Sequence, residues 1–260
     1  MKLLQIGTLS FCFLRNKFLS VARVLIITLF FSTQCSAYDF PVPRGEFAVG
    51  TVIYHWHDVS RQEVYVRDPL MRRELLVQCW YPGEKLPPKS NAAEVVRAKE
   101  PYLHSVLPHL AKMIRGWYGV PEFFLNNVFG DVFVHAQQKL PLAAKKQKYP
   151  VIVFSHGLGS LSAAHTVYAE NLASNGYIVF GINHSYDCLV TTFPDGRAYG
   201  LNFKWNQTNQ IDYLERVIDT WAQDVSFVID MLARLNYGRN CVALVRGSFE
   251  ICAFALPVCF

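Results

Sequence analysis

An α/β domain on a mostly parallel sheet, with helices on both faces, is the fold class this sequence predicts, and three observations predict it. After Tyr149-Pro150 comes the short apolar run Val151-Ile152-Val153-Phe154, suited to a strand buried on both faces. Ser155-His156-Gly157-Leu158-Gly159 follows directly, and its glycines let the backbone turn sharply and leave amides uncovered. Residues 160–175 then predict a helix stopped at Gly176, and residues 177–182 a second buried strand. Strand, glycine turn, helix and strand make a βαβ unit, which requires parallel pairing.

The chain has 260 residues, enough for one large domain with a sizeable core. Its amino end reads as a targeting segment. Lys2, Arg15, Lys17 and Arg23 precede the apolar run 24–31, and Ser32-Thr33-Gln34-Cys35-Ser36-Ala37 closes it with small residues. That pattern predicts a signal peptide, residues 1–37, cleaved after Ala37, and so a secreted or periplasmic protein. The alternative is a membrane anchor formed by residues 24–37, but that uncharged run has 14 residues, against roughly 20 for a span. Residues 38–260 are then a partial α/β domain with an irregular insertion at about 84–148.

Within it, residues 38–46 form an extended, proline-containing lead-in. Residues 49–56 have strand composition, a short β-type piece is expected at 64–66, and residues 72–81 predict a strand stopped by Pro82-Gly83. These opening strands are expected to form an antiparallel edge on the later sheet. In the insertion, residues 102–117 predict a helix that Pro108 would limit or kink. Phe123, Phe124, Val128, Phe129, Val132 and Phe133 give a second apolar face. A core-packing helix pair is favoured there over a cover for the mouth of a lipid site. Residues 193–197 predict a tight turn between short arms at 189–192 and 198–201. Residues 212–236 predict the longest helix, with Leu214, Val217, Ile218, Trp221, Val225, Val228, Leu232 and Leu235 on one face. Residues 241–245 read as another buried strand.

The formal charge of +5 overstates how basic the domain is. Four of the 25 basic residues and none of the 20 acidic ones lie in 1–37, leaving 21 against 20, or +1. Long-range attraction to nucleic acid has no basis here. Cys79, Cys188, Cys241, Cys252 and Cys259 follow the targeting segment, at spacings that suit neither zinc nor a disulfide framework. Buried free thiols are the favoured reading.

Ester hydrolysis needs a nucleophile, a base, a group that orients the base, and amides that hold the oxyanion. Ser248 follows the predicted strand 241–245, where a strand-to-helix elbow would present a nucleophile. Arg246 and Glu250 stand where such an elbow has glycines, and neither histidine nor aspartate follows Glu250. Ser155 and Ser160 lack any elbow and are not favoured as nucleophiles. His156 is expected to be structural, and His184 and Asp187 to belong to a loop rather than line a pocket. His55 and His57 flank Trp56 and are expected to be exposed or locally satisfied, with a metal site of His55, His57 and Asp58 the lesser alternative.

Taken together, these segments resemble the secreted platelet-activating factor acetylhydrolase family and its bacterial lipase-like relatives among the α/β-hydrolases. The matching pieces are residues 38–58, 72–82, 149–187 and 193–197. Phe154-Ser155-His156-Gly157-Leu158-Gly159, followed by Leu172-Ala173-Ser174-Asn175-Gly176, is especially close. The resemblance covers roughly residues 45–236. It implies a serine esterase of the 1-alkyl-2-acetylglycerophosphocholine type, releasing short or oxidised acyl groups from phospholipid. No metal or cofactor is implied, and the expected partner is a phospholipid substrate or membrane surface. It also implies that the Leu158 amide forms half of the oxyanion hole. Of the family's Gly-His-Ser-Phe-Gly-Gly nucleophile motif only Ser248-Phe249 stands here, so Ser248 would be the catalytic serine and the Phe249 amide the second oxyanion donor. The family's later aspartate and histidine have no counterpart. The expectation is therefore a sheet incomplete at its carboxyl-terminal end, by truncation or a change of reading frame, and a chain inactive as it stands. The alternatives are a non-catalytic lipid-binding remnant and a non-functional product.

Overall fold

The computed structural model describes residues 40–85, 100–144, 148–202, 210–237 and 250–251. The expected targeting segment, the strand expected at 241–245, and Ser248 and Phe249 lie outside these. In chain order the first half holds β1 (Ala48–Gln62), β2 (Arg72–Gly83), β3 (Glu100–Pro101), α1 (Leu107–Tyr118), α2 (Glu122–Phe129), β4 (Phe133–Val134) and β5 (Gln137–Gln138). The second half holds β6 (Pro150–Ser155), a 3-10 turn (Ser162–His165), α3 (Thr166–Ser174), β7 (Ile178–Asn183), β8 (Val190–Thr192), β9 (Ala198–Gly200), α4 (Gln210–Tyr237) and β10 (Glu250–Ile251).

The main sheet runs β10-β6-β7-β2-β1-β5. β6 and β7 pair in parallel, as a βαβ unit requires, and β10 joins β6 in parallel with Glu250 opposite Pro150. β2 is antiparallel to both β7 and β1. The sheet is thus mixed, with the expected opening hairpin adding its antiparallel pairs beside the parallel centre. β7 is buried at all six residues because it has a strand on each side and a helix over each face. An uninterrupted apolar run is what such a position demands.

Strand alternation divides the core in two. Val151 and Val153 of β6, Ile178, Phe180 and Ile182 of β7, and Leu75, Val77 and Cys79 of β2 meet Val228 and Leu232 of α4. On the opposite face Phe154, Val179 and Trp80 meet Ala169 and Ala173 of α3. Each large apolar side chain so removed from water stabilises the fold by about 1.5–3 kcal/mol.

Several local expectations change. Residues 64–66 are turn rather than strand, because β1 continues to Gln62 through an irregularity between Asp58 and Gln62. Pro108 does not kink a helix. It sits in the first turn of α1, where its missing N–H costs nothing. The buried stripe of α4 is Tyr213, Val217, Trp221, Asp224, Val228 and Leu232, whereas Leu214 and Ile218 are exposed. The helix is rotated so that one carboxylate, Asp224, enters the core.

The insertion packs as a helix pair: Leu107 and Ala111 of α1 meet Leu125 of α2, and another side of α1 rests on Leu161 and Val190. Buried Glu170 ties the end of the insertion to α3 by accepting the amides of His135 and Ala136 at 2.8 and 2.6 Å. Between the insertion and the α3 face of the sheet lies a cavity of about 360 Å³, lined in part by Ile53, Gln78, Tyr102 and Asn183. The lead-in docks on the end of α3, where the Gly45 amide donates to Ser174 Oγ at 3.0 Å. Only glycine fits there, since a Cβ would strike the Ser174 carbonyl. Cys79 and Cys188 are buried free thiols, as expected.

Candidate active site

β6 ends at Ser155, and the glycine turn begins at the carboxyl edge of the sheet. Gly159 takes φ of 73°, the left-handed region that a side chain disfavours. Its amide donates to the Asp187 carbonyl at 3.0 Å, and the Ser160 amide donates to the Gly157 carbonyl at 2.9 Å. Leu158 lies between the Gly157 carbonyl and the Gly159 amide, both of them bonded, while its own N–H makes no hydrogen bond among the described residues. The Leu158 side chain packs against Tyr213, Val217 and Trp221 of α4. His156 is structural, as expected. Its Nδ1 donates to the Gly157 carbonyl at 2.8 Å, which leaves Nε2 to accept the His184 amide at 3.4 Å.

His184 and Asp187 lie in the turn between β7 and β8, as expected of loop residues, yet both are fully buried. The Asp187 carboxylate accepts from Tyr65 Oη at 2.6 Å, Trp221 Nε1 at 3.0 Å and Tyr213 Oη at 3.1 Å. These three donors tie the β1–β2 connection and α4 to the residue whose carbonyl holds Gly159. His184 Nε2 lies 3.0 Å from Ser155 Oγ, and its Nδ1 lies 2.8 Å from Asp224 Oδ2. The indole of Trp221 stacks on the imidazole at 4.3 Å with only 4° between the planes. Ser155, His184 and Asp224 thus form a continuous chain of hydroxyl, imidazole and carboxylate. Sequence reading set Ser155 aside and did not single out Asp224, Arg73 or Trp221.

Asp224 is itself gripped. Arg73 donates through Nη2 at 2.6 Å and Nε at 3.1 Å, and Arg61 Nη2 adds a bond at 2.9 Å. Arg73 also pairs with buried Glu63 at 3.1 Å. Burial alone would raise the Asp224 pKa, but Arg73 and the His184 bond outweigh it and hold the carboxyl well below its usual range. Burial raises Glu63 despite Arg73. Two guanidiniums therefore face the carboxylates of Asp58, Asp224 and Glu63, and a proton on Glu63 would bring the cluster to neutrality. Burial lowers His184; the Asp224 bond opposes this and Arg73 reinforces it. Burial, with His184 adding, pushes His156 down to about 3.

Both histidines are therefore neutral in the fold, with pKa values below the roughly 6.5 of an unfolded chain. A depressed histidine contributes stability above pH about 6.5 that is lost as pH falls toward its folded value. The melting temperature should hold steady above pH about 7 and decline from about 6.5 downward. Each histidine adds at most about 1.4 kcal/mol per pH unit. Thermal melts across this range, with His156→Asn flattening the slope, check it; a melt independent of pH from 7 to 4 would contradict it.

The alternative metal set of His55, His57 and Asp58 is not brought together by the fold. Asp58 bonds Ser60 and Arg61 instead of facing the two histidines. His55, His57 and Glu74 do place ligand atoms within 4.8 Å of one another. However, Arg197 forks onto both Glu74 oxygens at 3.1 and 2.8 Å, and His55 Nε2 bonds the same carboxylate at 2.9 Å. The carboxylate is thus already satisfied by a cation, and His55 is locally satisfied. Among the described residues no helix is long and apolar enough to cross a membrane.

The fold matches a ferulic acid esterase from Streptomyces cinnamoneus with a TM-score of 0.57 and 24% identity, over 84% of this chain and 55% of that one. This likeness supports an α/β-hydrolase-like fold. A platelet-activating factor acetylhydrolase of Canis lupus familiaris is 30% identical over 137 residues, covering 49% of this chain and 31% of that protein. One of Cavia porcellus is 36% identical over 69 residues, covering 26% and 16%. The chain thus spans about a third or less of the length of these relatives. Residues 33–255 match the family described as platelet-activating factor acetylhydrolase, isoform II, and the chain belongs to that family.

Proposed function

We propose that the chain is a carboxylic-ester hydrolase for phospholipids carrying a short sn-2 acyl group, exported after cleavage near Ala37. The observation that carries this reading is the Leu158 amide, unpartnered at the carboxyl edge of β6 and anchored on both sides. An N–H held in this way costs no reorganisation when a carbonyl oxygen becomes negative, which is what an oxyanion donor requires. The family relationship supplies the substrate class. In this reading Ser248 and Phe249 keep the roles implied by the resemblance.

The test is acetate release from 1-alkyl-2-acetylglycerophosphocholine by purified chain that melts cooperatively. Release above the heat-denatured control supports hydrolysis; none from folded protein overturns it. A second reading, lipid retention without turnover, is favoured by the cavity between the insertion and the sheet. Co-sedimentation with phosphatidylcholine vesicles in the absence of acetate release distinguishes the two.

A further inference from the structure

The cavity between the insertion and the sheet has a wall of two kinds. Its floor is apolar, where Leu76 and Trp80 of β2 meet Val106 and Ala136, all four of them buried. Its rim is polar and exposed, at His104, Ser105, Gln138 and Lys139. No residue of the glycine turn 155–160 lines it. The cavity is therefore a place apart from the Leu158 amide that carries the ester-hydrolase reading.

Two backbone outliers mark the same cavity. Among the described residues three non-glycine residues take a positive φ, and two of these, Leu103 at 59° and Lys139 at 56°, line it. Left-handed backbone is costly for a residue with a Cβ, and such strain collects where a ligand is clamped. Lys139 follows β5, whose Gln137 and Gln138 pair with Gly50 and Thr51 of β1. The Lys139 amide itself donates to the Thr51 carbonyl at 3.4 Å. The ladder thus fixes the lysine at the rim. Its ammonium makes no ion pair among the described residues. The acid beside it, Glu100, is occupied, accepting from Gln138 Nε2 at 3.2 Å.

An apolar pocket with an uncommitted ammonium at its mouth suits one hydrocarbon chain that ends in an anion. The volume of about 360 Å³ lies near the small end of the roughly 300–1,000 Å³ of ligand pockets. At about 30 Å³ for each water-sized group, it takes roughly a dozen non-hydrogen atoms. A ten-carbon carboxylate has that size, whereas a two-chain phospholipid is too large.

We propose that this cavity binds a medium-chain fatty acid, with the chain against Leu76, Trp80 and Val106 and the carboxylate at Lys139. This deepens the lipid-retention reading above and rests on it, and it assigns the cavity no part in ester cleavage.

The test is isothermal titration of the full folded chain with sodium decanoate, below its micelle concentration, and with decanol, which has the same chain and no charge. The expected result is one-to-one binding of both, with decanoate tighter by about 3- to 5-fold, the worth of one exposed ion pair. Lys139→Gln should remove that preference by weakening decanoate alone. Ile53 is a half-exposed residue of the lining, and Ile53→Trp, which fills the mouth, should weaken both probes by about 10-fold or more. Equal affinity for the two probes, a preference that survives Lys139→Gln, or binding indifferent to Ile53→Trp overturns the inference and leaves lipid retention standing. Binding of neither probe by folded protein overturns both. Neither probe carries an ester, so the hydrolysis reading is judged separately, by acetate release.

Discussion

Arg73→Met should lower the unfolding free energy by about 3–5 kcal/mol, the cost of removing one partner from a buried ion pair. Methionine fills similar space, so the loss is chiefly electrostatic. Arg73 bonds Asp224 through Nη2 at 2.6 Å and Nε at 3.1 Å, reaches Glu63 with Nη1 at 3.1 Å, and caps the Ser185 carbonyl at 2.9 Å. Without it Asp224 keeps, among the described residues, Arg61 and His184. Arg73→Lys should recover part of the loss, because an ammonium restores the charge but not the planar fork. Urea denaturation of the three proteins decides it, and a change below about 1 kcal/mol for Arg73→Met would remove the buried ion pair from the account of stability.

Leu158→Pro should lower kcat for the acetyl ester by about 100- to 1000-fold, the usual effect of deleting one oxyanion donor. Proline removes the N–H and leaves the neighbouring amides of Gly159 and Ser160 to their carbonyl partners. Leu158→Ala keeps the N–H and loses only packing against Tyr213 and Trp221, so its kcat should fall far less. KM should change little in the proline variant, since the donor acts on charge that develops only in the transition state. Equal kcat values for the two variants would exclude the Leu158 amide as an oxyanion donor, and near-native melting of the proline variant ensures that the comparison reports chemistry.

The centre of the fold was legible because its signals are local. The β-branched run of β6, the glycine turn and the fully apolar β7 each announce themselves within a few residues. The hydrogen-bond chain of Ser155, His184 and Asp224 was not legible, because its members are far apart in the chain: His184 lies 29 residues from Ser155 and 40 from Asp224. Ser155 carries no local motif of its own, since it simply ends a strand. One signal was available. Asp224 lies three residues after Trp221 and four before Val228, on the apolar side of a long helix, and a lone carboxylate there requires a buried cation. Arg73, at the start of β2, likewise reads as an edge charge until β1 and α4 close over it. Leu214 and Ile218 were misassigned to the core for the same reason, since the true rotation of α4 follows Asp224 toward Arg73.

The three donors on Asp187 have a consequence for transplantation. They come from Tyr65, Tyr213 and Trp221, and Tyr65 stands 122 residues away in the chain. The glycine turn therefore draws its shape from remote buttresses rather than from its own six residues. Grafting residues 155–160 onto a foreign parallel strand would carry over the glycines but not the scaffold behind them, and the imported loop would hold no fixed amide.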